Sequence, residues 1–133
     1  MEEEPDQMKF RIMLNGEKIG ESDLENGDPP MGVVFGKAIL TVPGSPTSFI
    51  LEYCKKQGIE ITANDPSIPY FSTRDIPLLK ILNDKNMEIT GVGGTYFDGN
   101  DSELQVSILG IESDVYDKEF PGYYKRYEAG FGK

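Results

Sequence analysis

A chain of 133 residues, 38% hydrophobic and 27% charged, has the size and make-up of one globular domain that can bury a core of its own. It carries no histidine, one cysteine and a net charge of -10. Imidazole general bases, Ser–His and Cys–His nucleophile pairs, histidine or multi-cysteine metal sites and an intramolecular disulfide are thereby excluded, and DNA, RNA and anionic lipid are disfavoured as partners.

Residues 1–7, Met-Glu-Glu-Glu-Pro-Asp-Gln, read as a disordered acidic leader, and 8–133 as a single globular domain. The leader is acidic where a secretory signal would be basic, and apolar runs such as Ala38-Ile39-Leu40 are far short of a membrane span. The expectation is a cytoplasmic protein that engages no membrane.

Residues 8–14 alternate, with Met8, Phe10, Ile12 and Leu14 on one side and Lys9, Arg11 and Met13 on the other, the period of a half-buried strand. Asn15-Gly16 then signals a tight hairpin, because both residues tolerate positive φ, and 17–20 is the return arm. Residues 21–30, with four acids, a second Asn-Gly and Pro29-Pro30, read as a loop. Residues 31–42 suit a buried strand bent at Gly36.

Ser45-Pro46 opens the strongest helix signal, 46–57: Ser45 can cap and Pro46 suits the first helical position. Phe49, Ile50, Tyr53 and Cys54 form one apolar stripe, Lys55 and Lys56 suit the last turn, and Gly58 stops the helix. Residues 59–63 read as a short strand and 64–73 as a loop. A short helix is expected from Asp75 to about Asn83, with Leu78, Leu79 and Leu82 on one face. Strands at 87–97 and 104–111 flank a hairpin turn at 98–101, and the chain from Glu112 onward is at best briefly helical around Pro121-Gly122. The fold class is α+β: an antiparallel or mixed sheet of four to six strands with one main helix, about 46–57, packed on one face.

Gly91-Val92-Gly93-Gly94 is glycine-rich, but a phosphate cradle would open a helix, and Thr95-Tyr96-Phe97 continues as strand. Close backbone packing is the better reading. Asp98, Asn100, Asp101 and Glu103 miss the calcium-loop spacing and read as a solvated turn. Cys54 falls on the apolar helix face, as a buried structural thiol does. No catalytic or metal-ligating residue is assigned, and no cofactor.

Two acidic stretches remain. Glu17, Glu21, Asp23, Glu25 and Asp28 face only Lys18, and Glu112, Asp114, Asp117 and Glu119 face only Lys118. Such stretches are either a solvated surface or a field that attracts a basic protein. Tyr116, Phe120, Tyr123, Tyr124, Tyr127 and Phe131 supply six of the fourteen aromatics. Part of this run must pack on the sheet, yet tyrosine beside acids is also the make-up of a binding surface. Glu112, Asp114, Tyr116, Asp117, Tyr123, Tyr124 and Tyr127 are therefore the candidate partner-binding residues.

Small size, acidity and tyrosine content together resemble those of bacterial immunity proteins, which neutralise basic toxin domains such as nucleases. The resemblance is one of composition, with no motif to carry residue roles across. It implies a basic protein partner and inhibition by occlusion. The alternatives are a small-ligand binder or carboxylate/tyrosine enzyme, and a regulatory subunit that docks on a homologous copy as a homo-oligomer. The absence of histidine and of any catalytic motif favours a non-enzyme.

Overall fold

The structure, a computed structural model, describes residues 8–62, 70–100 and 102–131, the side chains through residue 129. The leader, residue 63 of the expected strand 59–63, most of the loop 64–73 and Asp101 lie outside the described residues. The fold is α+β, and the described residues form two antiparallel sheets and three α-helices.

The N-terminal hairpin is built as its pattern requires. In β1 (Phe10–Leu14) Phe10, Ile12 and Leu14 are buried. Asn15 and Gly16 turn with φ of 53° and 84°, and β2 (Glu17–Ser22) returns antiparallel to β1. β3 (Asn26–Asp28) and a short 3-10 turn (Pro29–Met31) give the expected loop 21–30 more order than its composition suggests. The segment 31–42 divides into β4 (Val33–Lys37) and β5 (Ile39–Leu40) at Ala38 rather than bending at Gly36. Gly36 instead admits the neighbouring chain, since a Cβ there would lie 2.7 Å from Leu24 Cα. β4 and β5 belong to different sheets.

α1 (Pro46–Gln57) matches its signature at both ends. Ser45 Oγ accepts the Ser48 N–H at 3.2 Å, and Gly58 closes the helix at φ 72°. Ile50 and Cys54 are buried; Phe49 and Tyr53 are half-buried against the same core. β6 (Ile61–Thr62) and β7 (Phe71–Thr73) follow.

The expected helix from Asp75 to Asn83 is a strand, β8 (Leu79–Leu82). Leu79 and Ile81 are buried and Lys80 is exposed, a period of two that a short leucine-rich run conceals. β8 pairs along the open edge of β1, and that pairing outweighs local helix propensity. Asp75 caps no helix; its Oδ1 accepts the Thr95 N–H at 3.1 Å.

The strand expected at 87–97 is also two strands, β9 (Glu88–Ile89) and β10 (Gly94–Gly99), separated by the glycine run. Close packing explains the glycines: a Cβ on Gly91 would sit 2.0 Å from Leu109 O, and Gly94 has φ 92° against Asp75. β10 pairs with β11 (Leu104–Leu109), and Asn100 Oδ1 accepts the Ser102 and Glu103 N–H groups in the turn between them. The sheets run β5-β2-β1-β8-β9 and β3-β4-β11-β10-β7-β6, and the buried faces of both join one hydrophobic cluster.

The C-terminus is more ordered than expected. α2 (Ser113–Glu119) and α3 (Tyr123–Phe131) flank Pro121-Gly122, with Gly122 at φ 88°. The helices are short, 7 and 9 residues, so each repeats its apolar period only about twice, which hid the pair. No described helix is long and apolar enough to cross a membrane.

Candidate functional site

α2 is two-faced. Tyr116 and Phe120, four residues apart, are buried, while Glu112, Asp114, Asp117 and Lys118 are exposed. Asp114 lies in the first turn, where a carboxylate suits the helix dipole. Phe120 stacks on Phe10 with ring centroids 5.4 Å apart, and Glu119 accepts a hydrogen bond from the Asn83 side chain at 3.1 Å. These two contacts anchor the helix to the first sheet.

The tyrosines of α2 and α3 tie both helices to the segment 24–33. Tyr116 OH donates to Val33 O at 2.9 Å, Tyr123 OH to Leu24 O at 2.6 Å and Tyr124 OH to Pro29 O at 3.2 Å. Arg126 donates to Glu25 O at 2.9 Å and lies 4.4 Å over the Tyr123 ring. Tyr116 also packs edge-on against Tyr123 and Tyr124. Four donors thus satisfy carbonyls between Leu24 and Val33, and α3 packs beside β3. The grip closes on Leu24, a fully buried residue held at φ 46°, a backbone region that leucine rarely adopts.

Burial raises the Tyr116 phenol well above the ordinary tyrosine range, with Tyr123 and Asp28 adding to the shift. Burial raises Tyr123 too, although Arg126 opposes it. Both phenols are therefore neutral donors at neutral pH, which their carbonyl partners require.

The first acidic stretch has structural tasks of its own. Glu21 pairs with Lys18 at 2.8 Å, which lowers its carboxyl below the ordinary value, and accepts the Met8 N–H. Asp23 accepts the Lys9 N–H at 2.9 Å, and Glu25 the Lys37 N–H at 3.0 Å. Asp28 lies near enough to Tyr116 to shift its phenol. The tyrosine clamp consequently brings the end of this stretch, Leu24 to Asp28, beside α2 and α3.

The sequence-derived site residues separate into two groups. Tyr116, at 1% exposure, is a core residue and offers no contact area, a correction to its reading as a surface anchor. Tyr123 and Tyr124 are half-buried with their hydroxyls committed to the backbone. Their aromatic character serves the clamp, because a large ring with one polar tip can fill a core and still tie a carbonyl. Glu112, Asp114 and Asp117 do stand on the surface. Tyr127 is half-buried beside an open cleft of about 410 Å³ that Asn26, Phe35, Tyr123 and Arg126 also line. The Phe131 side chain lies outside the described residues.

A second cleft, of about 440 Å³, runs past Ser72, Arg74, Asp75 and Tyr96. Arg74 there is paired with Glu60 at 3.5 Å. Among the described residues, no group of three or more metal-ligating side chains converges. Sequence reasoning missed Arg126, whose role depends on Glu25 and Tyr123, and the exposed Met31 and Val92, which lie in segments read as strand. No protein-family model matches the chain, and neither the curated proteins nor the solved structures contain a significant match to it.

Proposed function

We propose that this chain is a small acidic protein-interaction domain that binds a basic protein and acts by occluding it, as an immunity-type inhibitor does. One observation carries the reading. The last part of the first acidic stretch, with Glu25 and Asp28, lies beside the C-terminal segment that carries the second, through contacts such as Tyr116 to Val33 and Tyr123 to Leu24, 83 and 99 residues apart. A surface of one sign accelerates encounter with a partner of the other and repels partners of its own sign.

Two clefts among the described residues, of about 410 and 440 Å³, lie at the lower end of the usual range for ligand pockets and are open to solvent. That supports a contact surface over a small-molecule site. A cytoplasmic setting belongs to the same proposal, since a lone buried thiol suits a reducing compartment.

The test is capture of partners from the native host with the tagged protein, followed by association kinetics with the purified partner. The expected partner is basic, and its on-rate falls on the order of tenfold from about 0.05 to about 0.5 M salt. Glu112→Lys, Asp114→Lys and Asp117→Lys together slow association further. An acidic partner, or kinetics indifferent to both salt and charge reversal, would falsify the reading.

A further inference from the structure

Three loops distant in sequence are stitched together at one end of the fold. Ile111 N–H donates to Gly32 O at 2.8 Å, Val92 N–H to Gly110 O at 3.1 Å and Gly93 N–H to Leu109 O at 2.9 Å. Glycines enforce the stitching. Gly32, at φ 68°, would bring a Cβ to 2.7 Å from Ile111 O, and Gly110, at φ 77°, to 2.7 Å from Val92 Cγ2. The backbone here is fixed by residues that accept no side chain.

What this rigid frame presents is apolar. Met31 is 67% exposed and Val92 is 98% exposed. An isolated exposed apolar side chain needs no explanation. Two of them, on loops that flank residues 109–111 from either side and whose geometry the sequence constrains closely, offer a preorganised pair of anchors. The loops themselves are acidic: residues 28–33, 90–94 and 109–114 contain Asp28, Glu112 and Asp114 and neither lysine nor arginine, and the Arg74 that lines the cleft beside Gly93 and Leu109 is paired with Glu60.

We propose that this three-loop end is the face on which a basic protein docks, with Val92 and Met31 as apolar anchors and Asp28, Glu112 and Asp114 as the charged rim. An apolar centre inside a polar rim is the ordinary anatomy of a protein interface. The inference rests on the interaction reading above and adds the face. Charge decides the occupant: a second copy of the chain, docked symmetrically, would set this carboxylate rim against itself.

Two defined probes test it by amide NMR titration: an amphipathic peptide of alternating lysine and leucine, and poly-lysine. The amphipathic peptide is expected to move the signals of Gly32, Val92, Gly93 and residues 110–114. Met31→Ser/Val92→Ser should weaken that peptide about tenfold and leave poly-lysine binding unchanged, because the substitutions remove anchors and no charge. Glu112→Gln/Asp114→Asn should weaken both probes. Unchanged melting temperatures verify that the variants fold, as expected for exposed positions, and the single variant Val92→Ala repeats the test with the smallest change. Shifts on another face, or peptide binding indifferent to the double variant, would overturn the docking face and leave the interaction reading standing. Binding of neither cationic probe would overturn both. Concentration-dependent shifts at these loops without any probe would assign the face to a second copy and overturn the proposal as well.

Discussion

Helix α1 and the α2–α3 pair both lay aromatic side chains on the same core, yet they are held there by different means. α1 carries its instructions locally: Ser45 caps it, Pro46 starts it and Gly58 stops it, all within one stretch of chain. The α2–α3 pair has no side-chain hydrogen bond at the α2 N-cap, and its order comes from partners far away, Phe10, Leu24, Pro29 and Val33. Local signals define an element wherever it sits. Remote ones define it only once the rest of the fold exists, so the second region should be the more cooperative of the two.

The largest expected effect separates the regions by burial. Phe120 is 2% exposed and stacked on Phe10, so Phe120→Ala should destabilise the protein by about 3–5 kcal/mol. Phe49, on α1, is only half-buried, and Phe49→Ala should cost less than half as much, about 1–2 kcal/mol. Urea denaturation of both variants decides the matter. Equal losses would mean that α1 is as integral to the core as the clamp.

How the elements were legible follows the same division. The β1–β2 hairpin and α1 could be read because Asn15-Gly16, Ser45-Pro46 and Gly58 act on their own backbone. β8 reads as a helix because Leu78, Leu79 and Leu82 fit a helical face, whereas Leu79 and Ile81 fit a strand, and only the open edge of β1 chooses between them. The candidate site suffered likewise. Composition identified Tyr116, Tyr123 and Tyr124 as notable, but whether a tyrosine faces solvent or ties a carbonyl depends on residues such as Val33 and Leu24. Val92 was hidden for the converse reason: valine between glycines reads as strand, and nothing local says that it is almost fully exposed.

Alkaline pH should loosen the clamp selectively. Burial holds the Tyr116 and Tyr123 phenols above the ordinary value of 10.0, so the folded protein keeps protons that the unfolded chain releases. Their contribution is complete below pH 10 and is lost as pH rises toward the raised values. For Tyr116 the loss approaches about 1.4 kcal/mol for each pH unit above the ordinary value. Denaturation midpoints measured across this range should fall steeply for the wild type and less steeply for Tyr116→Phe. Parallel slopes would place Tyr116 in contact with solvent.

Smaller changes compare one anchor from each region. Tyr123→Phe removes the 2.6 Å hydrogen bond to Leu24 O, and Ser45→Ala removes the α1 cap; each should cost about 1 kcal/mol. The difference lies in where the loss appears. Hydrogen exchange should quicken in α1 alone for Ser45→Ala, whereas Tyr123→Phe should quicken it in α3 and around Leu24 together. Uniform acceleration in both variants would erase the distinction between a local and a remote anchor.

Cys54 offers the finest measure, because its thiol reports on α1 without any substitution. It is fully buried, and burial raises its pKa, so a thiol reagent such as DTNB should not react with the native protein. Labelling then requires α1 to lift from the core. If locally specified structure also opens locally, labelling should proceed by a partial opening that is faster than global unfolding and insensitive to low urea. Ser45→Ala should speed it about fivefold, the equivalent of roughly 1 kcal/mol of helix stability, and Tyr123→Phe should leave it unchanged. Labelling that tracks global unfolding in every variant would mean that α1, for all its local signals, comes away only when the clamp does.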